Sequence, residues 1–426
     1  MTHVDVLVVG GGFGGALGAR FLQTTLRGTG RRGVLVAPAN FMLFSPLLPE
    51  AASGTIEPRH AVIPLREMLK GIEVEVGTVV AFDPQKRIAV AEDLDGNRHE
   101  VTFEVALLAP GSVPAVFPIP GLTENAVGFK TLADAIWLRN RVLHQIDTAQ
   151  GATDSARRRE LLTFTFVGGG YAGVEALAEV ESLARDAVKR YPDLSTEDFR
   201  WVLIEAEESL LPGLDPKLAA YTERNLRRRG VEVLTSSRLV DCTDRIIRTN
   251  PERVAPYRSE TIVWTTGQRP APVDEAWGLP GHPHGGVVVD SRMRVQGVEN
   301  IYAVGDFAAV PEPGGGEAPN TAQHALRQAK VAAANIAEDL GLGNGRTYDY
   351  RTRGLAVTLG KRQGTAQVRS LTFTGPLAWW MGRSYHLLMM PGFGRKARVV
   401  TDWTLSLFFP RDIAQLGSLG APTPLE

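Results

Sequence analysis

Two glycine-rich segments are where this chain could do chemistry. Gly10, Gly12 and Gly15, with Phe13 and Gly14 between them, follow the apolar run Val6–Val9 and precede a helix-forming stretch to about Leu26. Gly168, Gly170 and Gly173, with Tyr171 and Ala172 between them, follow Leu161–Val167 and precede a second such stretch to about Arg190. Each reads as strand, tight turn, helix. In this pattern the first glycine makes the turn, the second lets backbone approach a pyrophosphate, and the third lets helix and strand pack closely. The phosphates then sit at the positive helix N-terminus. One such motif is a weak signal. Two in one chain predict two dinucleotide sites, read most economically as FAD in the first and NADH in the second.

The residues at the following strand ends refine this. Val202–Ile204 ends in Glu205, a carboxylate suited to the ribose hydroxyls of NADH and repelling the 2′-phosphate of NADPH; Ala206, Glu207 and Glu208 bring no arginine. The distance from Gly173 to Glu205 is long, and the polar stretch 191–198 reads as an insertion. After the first motif the equivalent position is Ala37, which has no carboxylate, and Asn40 is the nearby polar candidate for the FAD ribose. Leu107–Gly111 and Ile262–Gly267, the latter including Thr266, read as strands crossing between the domains. Asn300–Ala303 leads to Val304, Gly305 and Asp306, whose carboxylate could accept a flavin ribityl hydroxyl; simple turn chemistry is the competing reading.

Composition narrows the classes. The 426 residues are 44% hydrophobic and 22% charged with a net charge of -1, a globular composition that argues against nucleic-acid binding. One cysteine, Cys242, excludes an internal disulfide, a redox pair and a thiolate cluster, and its acidic neighbours Asp241 and Asp244 make it a poor nucleophile. The eight histidines show no metal-ligand spacing, so no metal is expected. The start carries no targeting pattern, and no apolar run is long enough to span a bilayer. Charge is uneven: residues 346–426 hold eleven Lys/Arg and four Asp/Glu, a net of +7, leaving -8 elsewhere. The same tail carries Trp379, Trp380, Trp403, Phe408 and Phe409 among its aromatics, so it reads as a module with its own surface to meet.

Together these segments resemble the two-dinucleotide-binding flavoproteins of the pyridine nucleotide–disulfide oxidoreductase superfamily, and within it the type II NADH dehydrogenases, single-subunit and non-proton-pumping. The superfamily resemblance rests on the glycine motifs, Ile262–Gly267 and Ile301–Asp306. The subgroup resemblance rests on Leu43–Glu50, Thr321–Gln328 and the tail. It implies an α/β fold of two Rossmann-like domains: an FAD domain of about 1–115 and 286–345, an NADH domain of 116–285, and a small C-terminal module for membrane attachment or dimerisation at 346–426. It implies hydride transfer from NADH to flavin and two electrons to a quinone. The residues it assigns near FAD are Gly10, Gly12, Phe13, Gly14, Gly15, Asn40, Pro46, Leu47, Gly111, Gly305, Asp306, Ala322 and Gln323. Near NADH they are Gly168, Gly170, Tyr171, Ala172, Gly173, Glu175, Glu205, Thr266 and Gly267.

Glu175, two residues past the last glycine, would position NADH against the flavin; complementing a helix N-terminus is its competing reading. The family's quinone-site pattern, Ala-Gln-x-Ala followed by a second glutamine, departs here. Gln323 is followed one turn on by Arg327, with Gln328 after it, and an i,i+4 face of Gln323 and Arg327 could still bind a quinone carbonyl. The expected placement is peripheral, on the cytoplasmic side of the cell membrane. Removing residues 370–426 is then expected to abolish vesicle binding and quinone reduction in membranes and, provided the truncated protein folds, to spare flavin reduction by NADH. A soluble NADH:acceptor reductase, a redox-responsive NADH/FAD binding protein and a homodimer remain open.

Overall fold

Near-continuous apolar runs suit strands covered on both faces, and those of this chain form the centres of two parallel sheets. The computed structural model describes residues 2–272, 275–352 and 354–415. The chain divides into two compact units. One comprises Met1–Phe44, Val62–Val113 and Gln268–Thr352; the other comprises Ser45–Ala61, Pro114–Gly267 and the chain from Arg353.

In the first unit, Gly33–Ala37, Thr2–Val9, Arg98–Leu108 and Ile301–Ala303 run parallel and side by side. Val6 lies opposite Gly33 on one side and Val105 on the other, and Leu107 opposite Tyr302. Glu73–Asp83 extends the sheet in parallel beside Gly33–Ala37 and returns through antiparallel Ile88–Asp93. Leu7, Leu35 and Leu107 are fully buried in its core. The helix Phe13–Leu26 packs against the helix Ala322–Asp339. Gly18 permits this approach: a Cβ there would lie 2.5 Å from Leu107 Cδ2 and 3.9 Å from Ala329 Cβ.

In the second unit, Val231–Leu234, Arg200–Ile204, Thr163–Val167, Thr261–Trp264 and Ala126–Gly128 form a five-stranded parallel sheet in that order. The helix Leu132–Gly151 starts on a capping box, in which Thr131 Oγ1 accepts from Asp134 N and Asp134 Oδ2 accepts from Thr131 N. Two segments far away in sequence belong to this unit. The first contains the short helix Leu48–Ala52. The second is the C-terminal segment: an antiparallel sheet of Gly354–Thr358, Gly364–Val368 and Leu371–Thr374, then the helices Gly375–Met389 and Phe393–Phe408.

This organisation differs from the expected boundaries at 116, 285 and 346. Residues 268–285 group with the first unit, and the described tail groups with the second rather than standing alone. Buried polar contacts tie the described tail into the second unit. Arg383 Nε donates to Glu50 Oε1 at 3.0 Å, and Trp403 Nε1 donates to Glu50 Oε2 at 2.5 Å. Arg411 donates to Glu179 Oε2 at 3.2 Å and to Ser182 Oγ at 2.8 Å. Arg139 donates to the carbonyls of Asp412 and Ala414. Residues 416–426 of the expected C-terminal module lie outside the described residues.

Candidate active site

The first glycine turn is shaped by close backbone approaches. Gly10 has φ +102°, and a Cβ on it would lie 2.1 Å from Ala109 O; a Cβ on Gly15 would lie 1.9 Å from Gly10 O. Gly12, by contrast, caps the helix with open space around it, and the first helical turn carries no acidic residue. The cradle is therefore tight on its protein side, open outward, and positive at the helix end, which fits a pyrophosphate. Ala37 is buried, and a Cβ on Gly11 would come 2.9 Å from Ala37 Cβ, so packing stands where the second turn has a carboxylate. Asn40 is exposed, and its carbonyl accepts from Leu65 N.

Across the same sheet, Gly305 and Asp306 turn back after Ile301–Ala303. Asp306 Oδ2 accepts from Ser112 Oγ at 2.5 Å. Gly305 N donates to Gln328 Oε1 at 2.8 Å. The nearly buried Gln328 thus holds the Gly305–Asp306 turn rather than serving as the second glutamine of a quinone face. Gln323 and Arg327 are brought together on one face. The Tyr350 hydroxyl donates to Gln323 Oε1 at 3.0 Å, Arg327 Nη1 donates to Gln323 O at 2.8 Å, and the Arg327 guanidinium lies 3.9 Å over the Tyr350 ring. Beneath them His324 is buried between Tyr348 Oη at 2.6 Å and Thr352 Oγ1 at 2.8 Å. Burial lowers the His324 pKa, so the ring is neutral at pH 7. Gly111, with φ +79°, accepts from Ala271 N in this unit, and Ala322 opens the Gln323 helix.

The second turn repeats the first. Gly168 has φ +115°, and a Cβ on Gly173 would lie 2.0 Å from Gly168 O and 2.5 Å from Thr265 Oγ1, while Gly170 faces open space. Thr266 Oγ1, beside Gly168, is a buried hydroxyl without a hydrogen-bond partner, as a site awaiting a polar ligand would leave it. Glu205 Oε2 accepts from Gly169 N at 2.5 Å and Oε1 from Glu207 N at 2.8 Å. The acid therefore pins the glycine loop as well as facing any ribose. Glu205→Ala is accordingly expected to weaken NADH binding at least tenfold while changing NADPH binding far less. NADH and NADPH titrations of flavin reduction check this, and equal use of both by the unaltered protein would contradict it.

The helix after this turn spans Tyr171–Ala187, so Glu175 falls in the second helical turn rather than the first, and helix-terminus charge is not its role. Glu175 Oε1 accepts from Thr358 N at 2.7 Å and Thr358 Oγ1 at 3.2 Å. Part of the residue remains accessible, while Thr358 covers one carboxyl oxygen. Desolvation chiefly, with smaller contributions from Glu179 and Glu50 and against the Thr358 hydrogen bonds, pushes its pKa up to about 8. The Tyr171 hydroxyl donates to Pro212 O, and burial raises its pKa to about 12. Ala172 is exposed. Gly267, with φ +69°, accepts from Ala115 N in the second unit. Pro46 and Leu47 group with the second unit.

Cys242 is buried in an apolar cluster with Val167, Val202, Ile262 and Trp264, and burial with Asp241 raises its pKa to about 11. It is an inert thiol. Among the described residues no group of side chains could hold a metal ion.

The model of the family described as pyridine nucleotide-disulphide oxidoreductase matches residues 4–329. The chain belongs to that family. It lacks the redox cysteine pair that the family's name advertises, as its single cysteine requires. Among curated relatives, it is 28% identical to the type II NADH:quinone oxidoreductase Ndh of Mycobacterium tuberculosis, over 95% of this chain and 88% of that one. It is also 28% identical to the external alternative NADH-ubiquinone oxidoreductase of Yarrowia lipolytica mitochondria, over 96% and 80%. Among solved structures, NDH2 from Plasmodium falciparum in complex with NADH superposes with a TM-score of 0.88 at 17% identity, covering 96% of this chain and 99% of that one. At that identity the likeness speaks for the fold.

Several residues with structural consequence carried no readable signal in the sequence. Ser112, Tyr350, Glu50, Arg383, Glu179 and Arg411 acquire their roles only through partners distant in sequence. Glu50 and Arg383 lie 333 positions apart.

Proposed function

We propose that this chain is an FAD-dependent, non-proton-pumping type II NADH:quinone oxidoreductase. The observation that carries a lipid-dissolved acceptor is the amphiphilic face of the C-terminal helices. Trp380, Leu388, Phe393 and Phe408 stand exposed, Phe393 at 87% and Phe408 at 77%, on a segment that also carries Arg395, Lys396 and Arg398. Among the described residues no helix is long and apolar enough to cross a membrane. The fitting placement is peripheral, on the cytoplasmic face of the cell membrane, with the aromatic residues at the headgroup boundary.

When bound, FAD supplies the ring that takes hydride from NADH and passes two electrons to quinone. The protein supplies the rest. Backbone N–H groups of the first glycine turn hold the FAD pyrophosphate, and Asp306, oriented by Ser112, accepts a ribityl hydroxyl. The second turn holds the NADH pyrophosphate, and Glu205 accepts its ribose hydroxyls. Gln323, oriented by Tyr350, and Arg327 donate to a quinone carbonyl, the guanidinium being the stronger donor. The overall change, NADH plus quinone plus one proton to NAD⁺ plus quinol, needs a proton from the protein or water. Glu175, protonated at neutral pH, is suited to hold it.

Membrane attachment is tested with anionic vesicles. The protein is expected to co-sediment at low salt and to release at high salt, where the Debye length falls to about 3 Å at 1 M. Replacing Phe393, Phe408 and Phe409 by serine is expected to lower binding at least tenfold without changing the melting temperature, since these side chains are exposed. Absence of binding at low salt, with the chain behaving as a dimer that the substitutions dissociate, would assign the face to a second copy instead.

A further inference from the structure

Residues 344–352 end the first unit without forming a helix or a strand, so no sheet ladder holds them. Their exposure nonetheless alternates. Tyr348 and Tyr350 are buried, while Asp349 and Arg351 are exposed. An extended chain turns every second side chain to the same side, and here that side meets the helix Ala322–Asp339. Asn335 of that helix fastens the start of the segment: its Nδ2 donates to Arg346 O at 2.8 Å, and its Oδ1 accepts from Arg346 N at 2.8 Å.

About three turns nearer the helix start, His324 fastens the other end. The residue is 1% exposed and both ring nitrogens are engaged, Nδ1 with Tyr348 Oη and Nε2 with Thr352 Oγ1. Each partner is a hydroxyl, able to donate or accept, so either tautomer of the ring satisfies both. The imidazole therefore spans residues 348 and 352. Tyr350 lies between them, its ring edge-on to the imidazole with centroids 5.1 Å apart. Tyr350 in turn sets the polar face of the helix. Its hydroxyl bond to Gln323 Oε1 turns the amide's N–H end away from it, and its ring carries the Arg327 guanidinium.

We propose that His324 is a positioning residue for quinone recognition: it staples the segment 348–352 onto the helix through both ring nitrogens, and thereby fixes the Tyr350 that aims Gln323 and Arg327 at a carbonyl. It acts from beneath that face, through Tyr350. Donors already held in place lose less freedom on binding than donors that must first be ordered. The role in recognition rests on the proposed quinone face of Gln323 and Arg327; the staple itself does not.

His324→Phe tests both parts, because phenylalanine keeps a ring beside Tyr350 and removes the two nitrogens. Trypsin cleavage after Arg351, read by fragment mass on the full-length FAD-loaded protein, should become at least about fivefold faster, since losing two hydrogen bonds eases local opening. With a short-chain benzoquinone, kcat/KM for the quinone should fall at least about tenfold. Single-turnover reduction of the flavin by NADH should change less than about twofold. Thr352→Val cuts one arm at an exposed residue, so it decides the matter even if His324→Phe does not fold. It should quicken the cleavage and lower quinone kcat/KM about threefold each, and add nothing further when combined with His324→Phe. Cleavage unmoved by both substitutions would overturn the staple. Faster cleavage with an unmoved quinone kcat/KM would overturn the role in recognition. An unaltered protein that reduces no quinone would remove that role together with the oxidoreductase reading, and the cleavage rates would still decide the staple.

Discussion

Deleting residues 370–426 is expected to unfold the second unit rather than merely detach the protein from lipid. The deletion removes Arg383, Trp403 and Arg411, the partners of Glu50 and Glu179, whose side chains are 3% and 1% exposed in the intact chain. Breaking one buried pair by removing a single partner costs about 3–5 kcal/mol. Two such losses, on the order of 6–10 kcal/mol, approach the whole stability of a typical domain, about 5–15 kcal/mol. Arg139, only 9% exposed, would also lose the Asp412 and Ala414 carbonyls it donates to. The expectation that removal spares flavin reduction holds only if the truncated protein folds, and the loss of these pairs opposes that. Thermal unfolding and limited proteolysis check this. A truncated protein that melts within a few degrees of full length and keeps its NADH response would show the ion pairs to be dispensable.

The two glycine turns should be separable by the smallest possible substitution. Gly15→Ala places a Cβ 1.9 Å from Gly10 O, and Gly173→Ala places one 2.0 Å from Gly168 O. Both obstacles are backbone oxygens that cannot rotate aside, so each loop must shift; overpacking of this kind costs about 1–3 kcal/mol or more. Gly15→Ala is expected to purify with little or no flavin. Gly173→Ala should retain the flavin absorbance but need at least a hundredfold more NADH to bleach it. Absorbance spectra at equal protein concentration, followed by NADH titration, give both results. Loss of flavin from Gly173→Ala with retention in Gly15→Ala would reverse the assignment of the two nucleotides.

What the sequence disclosed and what it concealed follow from the range of the forces involved. The glycine turns were legible because their demands are local: Gly10 and Gly168 need positive φ, and Gly15 and Gly173 need room for backbone within five residues. Glu205 was legible as a strand-end acid, although its hydrogen bond to Gly169 N, which makes it a brace for the loop, was not. Glu175, two residues past the last glycine, reads as a residue of the helix start, but the helix begins at Tyr171 and places it in the second turn, a boundary that pattern alone does not fix. Glu179 carries no signal in the sequence; only the arrival of Arg411, 232 positions on, explains how a carboxylate can be buried there. Gln328 looked like a displaced ligand and is instead spent on Gly305 N. The amphiphilic tail was visible in composition, while its anchorage was not, because long-range charge pairing leaves no periodic trace.

The most direct test of the account is an anaerobic absorbance titration of the FAD-loaded protein, with NADH first and then with a quinone. One equivalent of NADH per flavin should bleach the flavin bands, and one equivalent of quinone should restore them while quinol appears in the same amount. Flavin that NADH bleaches but quinone fails to reoxidise, with a soluble one-electron acceptor restoring it instead, would contradict the proposed NADH:quinone oxidoreductase activity.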